Sequence, residues 1–314
     1  MMINRTIKIL GKDRKIQGDT DYLGKMGAEF EPDTVAILAA LCDNGSYALD
    51  IGANIGLTAL ALSDICSQGK VIAIEPVPRT FELLKANLES ASIQNVSIFN
   101  VAVGAVDGSV SMYVDENNLA TSFVVEIDKG NNQEIPLTSL DSMVSRLEIP
   151  RLDFIKIDVE GCELEVLKGA VNTINLFKPI VLLEMNHWCL NVFRRISLPE
   201  FRDHLLNIFP FVYAVEQGKF LDFSDPINTG KIYESHVFGN KYMNIVAGFD
   251  KEVLLARLST LVQREMFEST PTTAQIDYPV VSSAELELKA MLNSRSWKIT
   301  APLRQLHAWI KAMP

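Results

Sequence analysis

The residues best equipped for chemistry fall in a few short stretches of this 314-residue chain. In LDIGANIGLTALAL, residues 49–62, an apolar run ends at Asp50 and passes through a loop carrying Gly52, Asn54 and Gly56 into an apolar, helix-like segment. Glycines at such a turn let a ligand approach the backbone closely. Strand, glycine turn and helix serve two ligand classes, dinucleotides and S-adenosylmethionine. Charge discriminates between them. A pyrophosphate is stabilised at a helix N-terminus by exposed N–H groups and the positive dipole end, and a carboxylate two residues before the first glycine opposes it. S-adenosylmethionine has no phosphate and carries an ammonium and a sulfonium, so Asp50 favours the methyl donor. The spacing Asp-x-Gly-x-x-x-Gly also departs from the dinucleotide pattern.

Glu75 ends the next apolar run 23 residues after Gly52, where an acid can accept hydrogen bonds from both hydroxyls of a ribose. A strand-end acid facing solvent is the plainer alternative. Further on, KIDVEGCELEVL at 156–167 brings Asp158, Glu160 and Gly161 to a strand end, and PIVLLEMNHW at 179–188 brings Glu184, His187 and Trp188. Ligands of open α/β sheets bind at that edge. Two carboxylates and a histidine converging there could hold an acceptor hydroxyl and take its proton, so Asp158, Glu160 and His187 are the candidate bases. Asp158 and Glu160 could instead cap the helix that begins near Glu163. Oxygen and imidazole ligands suit divalent metals, but the spacing of Glu160, Glu184 and His187 requires none, and no metal is expected.

Positioning these groups takes repeated βα units. Short Val/Ile-rich runs predict strands at 47–51, 70–75, 96–101, 153–158 and 179–184, with helices at 55–66, 78–91, 163–177 and 198–207. Strands without a polar face imply a mostly parallel sheet covered by helices on both sides. A β-rich excursion at about 106–138, with a turn at Asp107 and Gly108 and a polar step at Asn117 and Asn118, is expected as a hairpin over the sheet edge. FVYAV at 211–215 and YMNIVAGF at 242–249 read as late antiparallel strands. The domain reading is therefore a helical cap segment at 1–45, a catalytic domain at 46–250 and a helical extension at 251–314. In the cap, Tyr22, Met26 and Phe30 precede a helix starting near Pro32 and Asp33, and they are expected to cover part of the donor pocket. In the extension, Asp250 caps a helix with Leu254, Leu258, Leu261 and Val262 on one face. A linker follows at 268–282, and then a basic amphipathic tail at 283–314.

Composition sets the outer limits. With 48% apolar and 22% charged residues the chain is an ordinary globular sequence. The longest uncharged run, residues 90–106, is 17 residues and contains polar groups, short of a membrane span. The N-terminus lacks the pattern of a secretory signal, so the expected location is cytoplasmic. Cys42, Cys66, Cys162 and Cys189 match neither a zinc-ligand spacing nor a disulfide framework. Net charge is −10, yet Lys289, Arg295, Lys298, Arg304 and Lys311 stand in 288–314 without an acid, leaving −15 on residues 1–287. That balance disfavours nucleic acid as a partner.

In combination and in this order, LDIGANIGLTALAL, IAIEPVPRTFELLKANL, PLTSLDSM and FIKIDVEGCELEVLKGA make residues 47–190 resemble the FkbM family of S-adenosylmethionine-dependent methyltransferases. The resemblance implies the class I methyltransferase fold, a Rossmann-like, seven-stranded, mostly parallel sheet with a reversed last hairpin. It also implies O-methylation of a hydroxyl on a sugar or other natural product, with S-adenosyl-L-methionine as cofactor. Carried over residue by residue, the donor set is Asp50, Gly52, Asn54, Gly56, Glu75, Pro76 and Asp158. The late acidic motif is Asp158, Glu160 and Gly161. SRSWKITAPLR in the tail resembles a short C-terminal element of bacterial enzymes of surface-polysaccharide assembly, pointing to a saccharide or glycoconjugate acceptor. A basic, Trp-containing tail could lie on the inner face of a membrane, dock to a glycan-assembly partner, or pack on the domain or a second subunit. The competing readings are an NAD-dependent oxidoreductase, which Asp50 and the missing third glycine oppose, and a catalytically silent glycan-assembly module.

Overall fold

The computed structural model describes residues 2–113, 123–124 and 132–268. It opens on an antiparallel hairpin, β1 (Met2–Ile9) and β2 (Lys12–Asp19), where a helical segment was expected. Leu10 and Gly11 form the two-residue turn with φ of 48° and 75°; positive φ at both positions gives the turn a twist that matches its strands. Alternation explains the strands: Ile7, Ile9 and Ile16 are buried while Lys8, Lys12 and Lys15 face solvent. Two helices follow, α1 (Thr20–Lys25) and α2 (Pro32–Leu41). The Asp19 carboxylate caps α1 by accepting the Tyr22 N–H at 2.8 Å.

Five βα-type strands then appear: β3 (Tyr47–Ile51), β4 (Lys70–Ile74), β5 (Val96–Phe99), β10 (Phe154–Ile157) and β11 (Ile180–Glu184). Between β5 and β10 run β6 (Ala102–Gly104), β7 (Gly108–Tyr113), β8 (Phe123–Val124) and β9 (Asn132–Ser139). These four make a separate sheet in the order β6-β9-β7-β8, rather than a simple hairpin. The late strands are β12 (Phe211–Glu216), β13 (Lys219–Asp222) and β14 (Asn244–Gly248). The main sheet has the order β5-β4-β3-β10-β11-β14-β12-β13. Its first five strands are parallel, and β14 runs antiparallel between β11 and β12. Seven strands make the expected sheet, with β14 the reversed strand of its last hairpin; β13, antiparallel to β12, adds an eighth at the edge.

Helices cover both faces: α3 (Leu57–Ile65), α4 (Pro78–Ser90) and α11 (Lys251–Glu268) with α2 on one, and α5 (Leu140–Arg146), α6 (Glu163–Lys168), α7 (Val171–Phe177), α8 (His187–Arg194), α9 (Leu198–Ile208) and α10 (Pro226–Gly239) on the other. The predicted helix over 163–177 is two helices. At the break, a Cβ on Gly169 would lie 2.0 Å from the Gly104 carbonyl oxygen, so the chain there is fitted to a passing backbone. Asp250 caps α11 as expected, accepting the Val253 N–H at 3.1 Å. Leu254, Leu258 and Leu261 are buried in the same core as α2, but Val262 is 40% exposed and lies off that face. Residues 269–314, which hold almost all of the expected linker and the whole tail, lie outside the described residues, as do Asn117 and Asn118. No described helix is long and apolar enough to cross a membrane.

Candidate active site

A cavity of about 470 Å³ opens at the carboxyl ends of β3, β4, β10 and β11, within the size range of small-molecule sites. The β3–α3 loop forms one wall. Its five successive N–H groups are all spent inside the chain. Gly52 and Ala53 both donate to the Ile74 carbonyl at 3.0 Å, Asn54 to Glu75 Oε2 at 2.9 Å, Ile55 to Asn54 Oδ1 at 2.8 Å, and Gly56 to the Ala53 carbonyl at 2.9 Å. A loop that cradles a pyrophosphate needs those donors turned outward. This one suits a ligand that needs no phosphate nest.

The glycines serve the protein's own packing more directly than ligand approach. A Cβ on Gly52, at φ +84°, would lie 1.8 Å from the Asp158 carbonyl oxygen, and one on Gly56 would meet Leu84 Cδ1 at 2.7 Å. Glu75 is buried at the cavity wall, with Oε2 taking the Asn54 N–H and Oε1 the Val77 N–H at 3.0 Å. Each carboxylate oxygen keeps accepting capacity for a hydroxyl donor. Pro76 lines the cavity beside it.

Asp50 departs from its expected place. It is fully buried behind the wall and does not line the cavity. Its Oδ2 accepts the Thr58 hydroxyl at 2.5 Å and its Oδ1 lies 3.5 Å from Lys156 Nζ. Lys156, missed in the sequence reading, bridges Asp50 and Asp158, the latter at 3.0 Å. Burial alone would lower the lysine's pKa, but the Asp158 and Asp50 carboxylates reverse that and hold it charged. Asp50 therefore anchors a buried ion pair instead of touching a cationic ligand. Lys156→Met would leave Asp50 buried without its cation, a loss expected at about 3–5 kcal/mol. Chemical denaturation would measure it; a midpoint unchanged from wild type would contradict the role given to this pair.

On the opposite wall the carboxylate oxygens of Asp158, Glu160 and Glu184 come within 4.8 Å of one another. Burial, then the Asp158 and Glu160 charges, push Glu184 well above the ordinary carboxylate range. Asp158 is also engaged by Lys156. Burial raises Glu160 too, against a thiol hydrogen bond from Cys189 Sγ to Glu160 Oε2 at 3.0 Å.

The candidate base His187 is not at the cavity. It starts α8, where its N–H points to His236 Nε2 at 3.4 Å and the two rings meet edge-on at 4.9 Å. His236 is buried on α10, donating Nδ1–H to the Lys241 carbonyl at 2.8 Å. It is thus the partner of His187. Trp188 is 64% exposed. In their place Tyr22, Phe30 and Glu31, from the N-terminal segment, line the cavity. Arg194 and Cys162 line it from α8 and the turn before α6, with Arg194 Nη2 donating to Cys162 Sγ at 2.7 Å.

Two buried acids give the fold a pH dependence of definite sign. Burial raises Glu75 and Glu163 from 4.5 to about 7 in the folded chain. Between those values the native state binds more protons than the unfolded one, so stability is full below about 4.5 and falls as pH rises to about 7. Thermal unfolding is expected to give a higher midpoint at pH 5 than at pH 7.5. Glu75→Gln, which cannot ionise, should reduce the difference, and an equal difference in that variant would contradict the assignment.

A parallel sheet closed by an antiparallel final pair, with a glycine loop and a strand-end acid at its switch point, defines a class I methyltransferase fold. Residues 50–211 match the model of the methyltransferase FkbM domain, and the chain belongs to the FkbM methyltransferase family. This family uses S-adenosylmethionine. The chain is 30% identical over 145 residues to hexuronic acid methyltransferase AglP of Haloferax volcanii, a match covering 46% of this chain and 58% of the relative. It is 29% identical over 144 residues to methyltransferase 1 of Beauveria bassiana, covering 40% and 58%. The chain thus spans under three fifths of the length of these relatives. Among solved structures, precorrin-6y C5,15-methyltransferase of Geobacter metallireducens is 14% identical with a TM-score of 0.39, covering 72% of this chain and 91% of that one.

Proposed function

We propose that the chain is an S-adenosylmethionine-dependent O-methyltransferase acting on a sugar hydroxyl in surface-glycan assembly. The observation that carries this reading is the pairing, in one cavity, of a loop whose N–H groups are internally spent with a wall of three acids. The spent loop disfavours a dinucleotide, and the acids suit a cationic donor and a hydroxyl acceptor. Glu75 would accept the ribose hydroxyls, with the Gly52–Gly56 backbone as the floor. Bound S-adenosylmethionine supplies an already activated methyl group, so the protein's tasks are placement and proton removal.

Of the candidate bases, Glu160 is the best suited. Asp158 is tied to Lys156, and His187 is drawn to His236. Burial makes Glu160 more basic than an ordinary carboxylate, and it lines the cavity. Glu160 would take the acceptor's O–H proton as the acceptor oxygen accepts the methyl group, the methyl–sulfur bond of the donor breaking to leave S-adenosylhomocysteine. The hexuronic acid named for the Haloferax relative supports a saccharide acceptor. Contact with a membrane or a glycan-assembly partner through 283–314 belongs to the same proposal.

The test is incubation with S-adenosylmethionine and a panel of free, nucleotide-linked and lipid-linked sugars, including uronic acids. S-adenosylhomocysteine and a new O-methyl resonance on a sugar are expected in equal amounts. Turnover of only non-saccharide hydroxy compounds would transfer the assignment to another natural product.

A further inference from the structure

Glu160 has a φ of +53°, a conformation that a non-glycine residue keeps only where its surroundings over-determine it. Those surroundings are specific. Glu163, fully buried in the first turn of α6, accepts the N–H groups of Val159 at 3.2 Å and Gly161 at 3.1 Å through one oxygen, Oε1. The two amides flank Glu160. Gly161 follows at φ +95°, where a Cβ would come 3.0 Å from the backbone carbonyl of Cys189. That same Cys189, also buried, donates its thiol to Glu160 Oε2. Helix capping would account for Glu163 alone. It does not account for a thiol from a different helix meeting the carboxylate between the two clamped amides.

We propose that Glu163 and Cys189 are positioning residues that fix the Glu160 carboxylate at the cavity wall, Glu163 by clamping the backbone on both sides and Cys189 by orienting the side chain. The proposal rests on the reading of Glu160 as the base. A thiol donor favours the ionised carboxylate, so its removal shifts the proton equilibrium of Glu160 upward. The other charged groups acting on Glu160 are Asp158 and Lys156, with Glu184 and Glu163 nearby, and none of these is altered in the cysteine variants.

The test is a carboxyl-carbon NMR titration of glutamate-labelled full-length protein, with the Glu160 resonance identified by its loss in Glu160→Gln. Cys189→Ala is expected to raise the Glu160 midpoint by about half a pH unit or more, and Cys189→Ser, which keeps a donor, to restore it. Glu163→Ala is expected to speed amide exchange at Val159 and Gly161 at least about tenfold, and Glu163→Gln, which keeps an acceptor oxygen, to restore protection. An unchanged midpoint in Cys189→Ala would overturn the orienting role, and that arm stands even if Glu163→Ala does not fold. Unchanged exchange in folded Glu163→Ala would overturn the clamp. Neither readout needs donor or acceptor. Loss of the methyl-transfer reading would therefore show as absent turnover beside intact titration shifts.

Discussion

Glu160→Gln is expected to lower kcat for methyl transfer by about 10²–10⁴ while leaving donor affinity within about twofold. Glutamine keeps the size of the side chain and an oxygen to accept the Cys189 thiol, but it cannot take a proton. The loss should therefore fall on the chemical step rather than on binding. Asp158→Asn should behave differently, because Asp158 also partners the buried Lys156, and a change there should cost stability as well as rate. Steady-state kinetics alongside donor titration separates the two. A Glu160→Gln enzyme with near-normal kcat would remove Glu160 from the mechanism.

Gly52→Ala is expected to destabilise the fold by about 2–5 kcal/mol. Two costs combine: an L-residue at positive φ, about 1–2 kcal/mol, and overpacking, about 1–3 kcal/mol. The second arises because the new Cβ would fall 1.8 Å from the Asp158 carbonyl oxygen, in a residue whose own N–H is bonded to the Ile51 carbonyl at 3.1 Å. For a chain of this size the melting midpoint should drop by roughly 5–15 °C. Gly24→Ala is the internal control, since a Cβ there meets nothing within 4 Å and the residue lies in α1. That change should be neutral or slightly stabilising. Equal midpoints for the two variants would show that the Gly52 turn does not carry the constraint assigned to it.

The parallel core was legible because β3, β4, β10 and β11 are short apolar runs bounded by glycine, acid and polar residues, and period and punctuation agree. The opening hairpin was not. Its turn uses Leu10 where Asn or Asp commonly precedes glycine, and its polar face of lysines and arginines obscures the buried isoleucines. At the site, Glu75, Asp158 and Glu160 stood at strand ends where the chain had to deliver them. Asp50 carried the right charge for a cationic donor, but its orientation depends on Thr58 and Lys156, one turn and one strand away. Lys156 did leave a signal, a single charge in the strand FIKI. His187 left none, because its partner His236 lies 49 residues further along and meets it only through the packing of α8 against α10.

Donor binding in this cavity through Glu75 can be read by calorimetric titration. Wild-type protein is expected to bind S-adenosylmethionine and S-adenosylhomocysteine at micromolar affinity, about −8 kcal/mol, and not to bind NAD. Folded Glu75→Ala should lose at least about tenfold in affinity, since hydrogen bonds to a charged acceptor contribute about 1.5–3 kcal/mol each. Binding of NAD by the wild type would make this a dinucleotide site, and undiminished donor affinity in Glu75→Ala would remove Glu75 from donor recognition.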